Sequence, residues 1–164
     1  QQAAHERILF EQFQQQLQHN QGSSQQSLFP QTIELNSADF ALVQEILPEI
    51  HALGFQLRPF GKTTYIVDGI PADLENINEG QIIEKLLEDF KNLSDLRLNK
   101  RERLAKSLAK NAAIKPGTKL ENEGMAELID KLFACESPNI SLSGKPVIIT
   151  YTLQELAERF GRNI

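Results

Sequence analysis

Residues 1–13 read QQAAHERILFEQF. Ala3, Ala4, Arg7, Leu9 and Glu11 favour helix, and neither Gly nor Pro interrupts the stretch. Leu9, Phe13 and Leu17 recur every four residues, with Ile8 and Phe10 beside them, so one face of the helix is apolar and suited to burial. Glu6, Arg7 and Glu11 are then fixed on a rigid rod. Taken alone, they read as solvated charges on an amphipathic surface helix.

Composition sets the frame around this helix. The chain has 164 residues, enough for one ordinary domain or two small lobes, and 40% of them are hydrophobic. The net charge of −5 argues against a generic nucleic-acid binder, so any basic site must be local. The single cysteine, Cys135, excludes an internal disulfide framework and a Cys-only zinc site, and it fits a reducing compartment. No apolar run approaches the ~20 residues that span a bilayer, and no signal peptide is visible. A cytoplasmic protein without membrane contact is expected. The chain opens inside a helix pattern, so it reads as part of something longer.

Residues 14–26 are rich in Gln with Asn20, Gly22, Ser23 and Ser24, which predicts a mobile linker. A half-buried strand is expected over 32–35, then a helix over 38–53 capped by Asn36 and Asp39. Pro48 should bend that helix and Gly54 should cap its end. Residues 55–58 and 64–67 read as a hairpin turning at Gly61-Lys62, ended by Gly69 and Pro71. Asn78 and Gln81 cap a helix with the clearest 3.6-residue period in the chain, Ile82, Ile83, Leu86, Leu87 and Phe90. Residues 32–92 therefore spell strand, helix, strand, strand, helix.

Further on, 101–113 reads as a helix with Leu104 and Leu108 inward. So does 121–135, with Met125, Leu128, Ile129 and Leu132 inward. Residues 137–144 form a turn-rich loop, and 147–152 is β-branched apart from Tyr151, hence a strand. Thr152 and Glu155 form a capping box for a last helix with Leu156, Ala157 and Phe160 inward. The fold class is α+β, in two lobes.

Several of these segments resemble one family, the C-terminal domain of the MutL DNA mismatch-repair proteins. Its signature helix reads Asp-Gln-His-Ala-x-x-Glu-x-x-x-x-Glu, and Gln1, Ala3, Glu6 and Glu11 match it. The family's His is replaced by Gln2. Residues 108–115 resemble the family's Ala-Cys-Lys/Arg helix, with Lys110 in place of the Cys. Residues 141–147 resemble its Cys-Pro-His-Gly-Arg-Pro-Thr loop, where Gly144 and Pro146 are identical and Ser141 and Ser143 replace the Cys and His. Phe160-Gly161-Arg162 matches the terminal Phe-x-Arg. The matches run in the family's order over nearly the whole chain.

The resemblance implies a homodimer-forming module that meets other mismatch-repair proteins, with residues 1–31 and 99–164 as the dimerisation lobe and 32–98 as an inserted regulatory lobe. Val147, Ile149 and Tyr151, or the alternate face at Ile148, with Leu156 and Phe160, are the candidate dimer contacts. In endonuclease-type relatives the motifs hold zinc or manganese. Here only Glu6 and Glu11 remain, about 140° apart around a helix and poorly placed to chelate one ion. Gln2, Ser141 and Ser143 are poor zinc ligands, and the Lys110 ammonium would repel a cation. No enzyme activity and no cofactor are expected, since the ATPase half of MutL is not in this chain. The rival reading is a metal-dependent nicking endonuclease with an altered ligand set.

Two further patterns stand out. Gln25-Gln26-Ser27-Leu28-Phe29-Pro30 fits Gln-x-x-Leu-x-Pro, by which repair proteins bind the sliding clamp. Gln25, Leu28, Phe29 and Pro30 would make the contact, or Leu28 simply starts the strand. Arg103, Lys106 and Lys110 share one side of a helix, as a solvated face or as a weak, sequence-blind DNA contact.

Overall fold

A computed structural model describes residues 1–74, 78–92 and 98–161. Arg162 of the terminal motif lies outside the described residues. The order is α1 (Gln2–His19), β1 (Ser24–Glu34), α2 (Ser37–Ala52), β2 (Gln56–Phe60), β3 (Thr64–Pro71), α3 (Glu79–Asn92), α4 (Lys100–Ala112), α5 (Asn122–Phe133) and α6 (Leu153–Arg159). This is α+β, as expected.

The strands form one antiparallel sheet in the order β1-β3-β2. Tyr65 and Val67 of β3 turn to the covered face, where Phe40 of α2 stacks on the Tyr65 ring at 4.8 Å. The helix α3 lies on the same sheet through Ile82, Ile83, Leu86, Leu87 and Phe90, all buried, and its Asn78 cap accepts from the Gln81 N–H at 3.0 Å. The helix α2 begins as expected, with Asn36 accepting from the Asp39 N–H, and continues through Pro48. It ends at Gly54, whose φ of 96° is the left-handed conformation glycine tolerates. The N–H groups of Gly54 and Phe55 return to the carbonyls of His51 and Ile50.

The 14–26 linker is not present. α1 runs on to His19, because Leu17 is buried on the same face as Leu9 and Phe13, and Asn20 caps it at φ 52°. β1 starts at Ser24 rather than Thr32, because Ser24, Gln25 and Gln26 pair with Pro71, Ile70 and Gly69. β3 accordingly continues past Gly69. Between the two elements the Gly22 N–H donates to the Ala52 carbonyl at 3.0 Å, and a Cβ on Gly22 would lie 2.3 Å from that oxygen.

One buried cluster joins Leu9, Phe13 and Leu17 of α1 to α2, the sheet, α3, and Leu104 and Leu108 of α4. It crosses the sequence positions where the two lobes would divide. A second, smaller cluster holds Ala4, Ile8 and Leu132, with Leu128, Cys135, Val147 and Ile148 packed against it. Here the sequence expectations fail in two ways. Residues 147–152 form no strand, since strand propensity needs a neighbouring strand and, among the described residues, none lies alongside; a single bridge nearby joins Ile140 to Pro146. Met125 and Ile129 of α5, Leu156 of α6 and Phe160 just after it face outward, whereas Leu128, Leu132 and Ala157 of those helices turn in. An apolar stripe marks a face for burial but does not supply the surface that covers it.

Candidate functional site

The polar residues of α1 hold the chain that follows α5. Arg7 and Glu11 sit one turn apart, 3.7 Å from each other, and both side chains are 13% exposed. The Glu11 carboxylate accepts from the Glu136 N–H at 2.6 Å and the Ser137 N–H at 3.1 Å. Arg7 Nε–H donates to the Ile140 carbonyl at 2.8 Å, and Nη2 to the Ser141 carbonyl at 3.3 Å. Together they fasten both ends of the 136–141 segment to α1. Glu6 points elsewhere and accepts from Gln2 Nε2 at 2.8 Å.

The other positions matched to the metal motifs are equally occupied. Ser141 Oγ accepts from the Lys145 N–H at 3.0 Å and lies 3.1 Å from Ser143 Oγ. Lys110 turns towards α3 and pairs with Asp89 at 3.1 Å. Cys135 lies half-buried near Glu11, and burial followed by that carboxylate pushes its thiol up to about 11, so it stays a protonated thiol at neutral pH. Among the described residues, no three His, Cys, Asp or Glu side chains converge where an ion could sit.

His5 shares no ligand-type spacing with His19 or His51, yet its Nδ1 accepts from the Ile114 N–H at 2.9 Å and ties the end of α4 to α1. That fixes the proton on Nε2. Burial, then the Lys131 ammonium, lowers its pKa. His5, Lys131 and Cys135 line a groove of about 880 Å³ between α1 and α5.

The clamp-like motif stands out from the sheet. Gln25 is held in the ladder opposite Ile70, but pairing with β3 breaks between Gln26 and Gln31. The bulge exposes Leu28 by 90% and Phe29 by 84%. β1 begins at Ser24, so Leu28 lies within the strand and does not start it.

The basic candidates do not form one free face. The Arg103 guanidinium lies 4.3 Å over the Phe90 ring and donates to the Phe90 carbonyl, Lys110 is paired, and Lys106 is half-buried. The dimer candidates divide as well. Ile148 packs against the small cluster, whereas Ile149, Leu156 and Phe160 are exposed, Phe160 by 76%. Tyr151 and Leu153 extend this exposed apolar arm.

The chain belongs to the MutL C terminal dimerisation domain family, whose model matches residues 1–120. It is 43% identical over 163 residues to the DNA mismatch repair protein MutL of Prosthecochloris aestuarii, covering 99% of this chain and 26% of that protein. The identity is 41% to MutL of Chlorobaculum parvum and 42% to MutL of Chlorobium phaeobacteroides, with the same coverage of both chains. The chain therefore spans about a quarter of the length of the curated relatives it matches.

Proposed function

We propose that this chain is the self-associating C-terminal module of a MutL DNA mismatch repair protein, and that it works through protein contacts and not through metal-dependent DNA cleavage. The observation that carries the second half is Glu11. Its carboxylate already accepts two backbone N–H groups and faces Arg7, so it is filled by the fold. The residues at the motif positions do not fit zinc or manganese: Lys110 brings a positive charge, and Ser141 and Ser143 bond within their own loop. Metal-assisted cleavage needs an ion held where it can lower the pKa of a water and neutralise phosphate charge, and these side chains do not offer it a ligand set.

The self-association half is supported by family membership and by the exposed Ile149, Leu156 and Phe160, more apolar surface than an arm of this length needs if it stays in water. In this reading residues 1–31 and 99–164 carry the dimer contact and 32–98 carries the regulatory contact. The partners are a second copy, the sliding clamp through Gln25, Leu28, Phe29 and Pro30, and other mismatch-repair proteins. A weak, non-specific DNA contact falls to Lys106 with Arg103 and Lys110. The protein acts in the cytoplasm, where Cys135 remains reduced. Among the described residues no helix is long and apolar enough to cross a membrane.

Supercoiled plasmid incubated with manganese tests the chemistry. The wild-type chain is expected to leave it intact. Nicking that disappears in Glu6→Ala would establish the altered-ligand nuclease instead.

A further inference from the structure

β3 is the middle strand of the sheet, and both of its neighbours lose register at one residue, Asp68. Gly69 pairs with Gln26 of β1 on one side and with Gln56 of β2 on the other, while Val67 pairs with Gln31 and Leu57. Opposite Asp68, β1 therefore carries residues 27–30 and β2 carries none. Leu28 and Phe29 are the middle of that insertion.

Gln26 and Gln31 are held opposite positions two residues apart on β3, about 7 Å along the strand. Drawn out, the chain between them would cover up to about 17 Å. Residues 27–30 must therefore leave the sheet and return to it as a closed arch. Pro30, with no N–H to give to β3, suits the returning limb.

Two residues of β3 close the base of the arch. A Cβ on Gly69 would lie 2.9 Å from the Gln25 carbonyl oxygen and 2.8 Å from Ser24 Oγ. The hydroxyl could turn away, but the carbonyl is backbone and would take β1 with it. Glycine is what lets β1 come this close just before the arch begins. Asp68 accepts from Arg58 Nε–H at 2.6 Å, which ties the bulged residue of β3 to β2, on the side away from the arch.

We propose that Gly69 and Asp68 are positioning residues for the Gln25, Leu28, Phe29 and Pro30 motif. They hold it as a closed arch rooted in the sheet, and the sliding clamp takes it in that form, with residues 24–26 still paired to β3. This rests on the clamp contact proposed above and adds the shape in which the motif is met. The alternative is a clamp that draws the motif out straight, which would strip residues 24–26 from Pro71, Ile70 and Gly69. The closed form is favoured on two grounds. A segment fixed at both ends gives up less conformational freedom on binding than a loose one. The straight form would also leave backbone groups of β1 and β3 without their partners.

Binding to immobilised sliding clamp tests this with the wild-type chain, Gly69→Ala, and a synthetic peptide of residues 22–34 that carries the motif without its sheet. The wild type should bind at least about tenfold tighter than the peptide, the factor that ordering a single backbone residue is worth. Gly69→Ala, shown by circular dichroism to be folded, should lose most of that advantage although every motif residue is in place. Hydrogen exchange separates positioning from general loosening. The amides of residues 24–26 that bond to β3 should stay as protected in the clamp-bound wild type as in the free chain. Faster exchange there on binding overturns the proposal. So does a folded Gly69→Ala, or a free peptide, that binds as tightly as the wild type. If Gly69→Ala does not fold, Asp68→Asn takes its place; weaker binding is expected, and binding equal to wild type overturns the proposal. A wild type without clamp affinity, or one matched by the double variant Leu28→Ala with Phe29→Ala, overturns the clamp contact itself and this inference with it.

Discussion

Replacing Glu11 by Ala should loosen the segment that carries the C-terminal arm. The side chain is 13% exposed and accepts from two backbone N–H groups, at 2.6 and 3.1 Å. Hydrogen bonds to a charged acceptor contribute about 1.5–3 kcal/mol each when buried, but these donors lie at the surface and water replaces part of the loss. The Arg7 pair adds at most about 1 kcal/mol in such a setting. The expected cost is about 2 kcal/mol, and about half of that for Glu11→Gln, which keeps one acceptor oxygen. For a domain of this size that lowers Tm by about 4–8 °C. Urea titration followed by circular dichroism should show a lower midpoint with an unchanged m value. Arg7→Ala, which frees the Ile140 and Ser141 carbonyls, should cost less than additively when combined with Glu11→Ala, since both fasten one segment. A Glu11→Ala protein as stable as wild type would refute the idea that this carboxylate holds residues 136–137.

Replacing Leu28 and Phe29 together by Ala should abolish retention on immobilised sliding clamp. Because both protrude from the bulge, Tm should hardly move; equal clamp retention would refute the motif. His5 should make stability pH-dependent. Its folded pKa lies below the ordinary 6.5, so the unfolded chain binds the proton first. Its contribution is complete above about pH 6.5, declines as the pH falls through that value, and levels off below the folded pKa. The stability difference between wild type and His5→Asn, which keeps an acceptor for the Ile114 N–H, should shrink over that window. A difference that does not vary with pH contradicts the assignment.

The local signals in the sequence carried far. Asn36 with Asp39, Asn78 with Gln81 and Thr152 with Glu155 all cap helices where their spacing places them, because a cap is decided within four residues. Asn99 and Glu102 form another such box at the start of α4. The glutamine-rich stretch misled because one residue, Leu17, buried in the main cluster, is enough to continue α1, and because Ser24–Gln26 owe their strand to β3, some 45 residues away. The site was legible mainly as a family pattern. The grip of Arg7 and Glu11 on residues 136–141 joins positions some 125 apart, and no local period encodes it. The periods of α5 and α6 point to core, yet these apolar faces are exposed, because periodicity reports an apolar face and not its partner.

The mass of the purified 18.5 kDa chain in solution tests the central claim most directly. Light scattering during gel filtration at high micromolar concentration should give twice that mass for wild type and the single mass for folded Phe160→Glu. A wild-type chain that scatters as a monomer throughout would contradict the account.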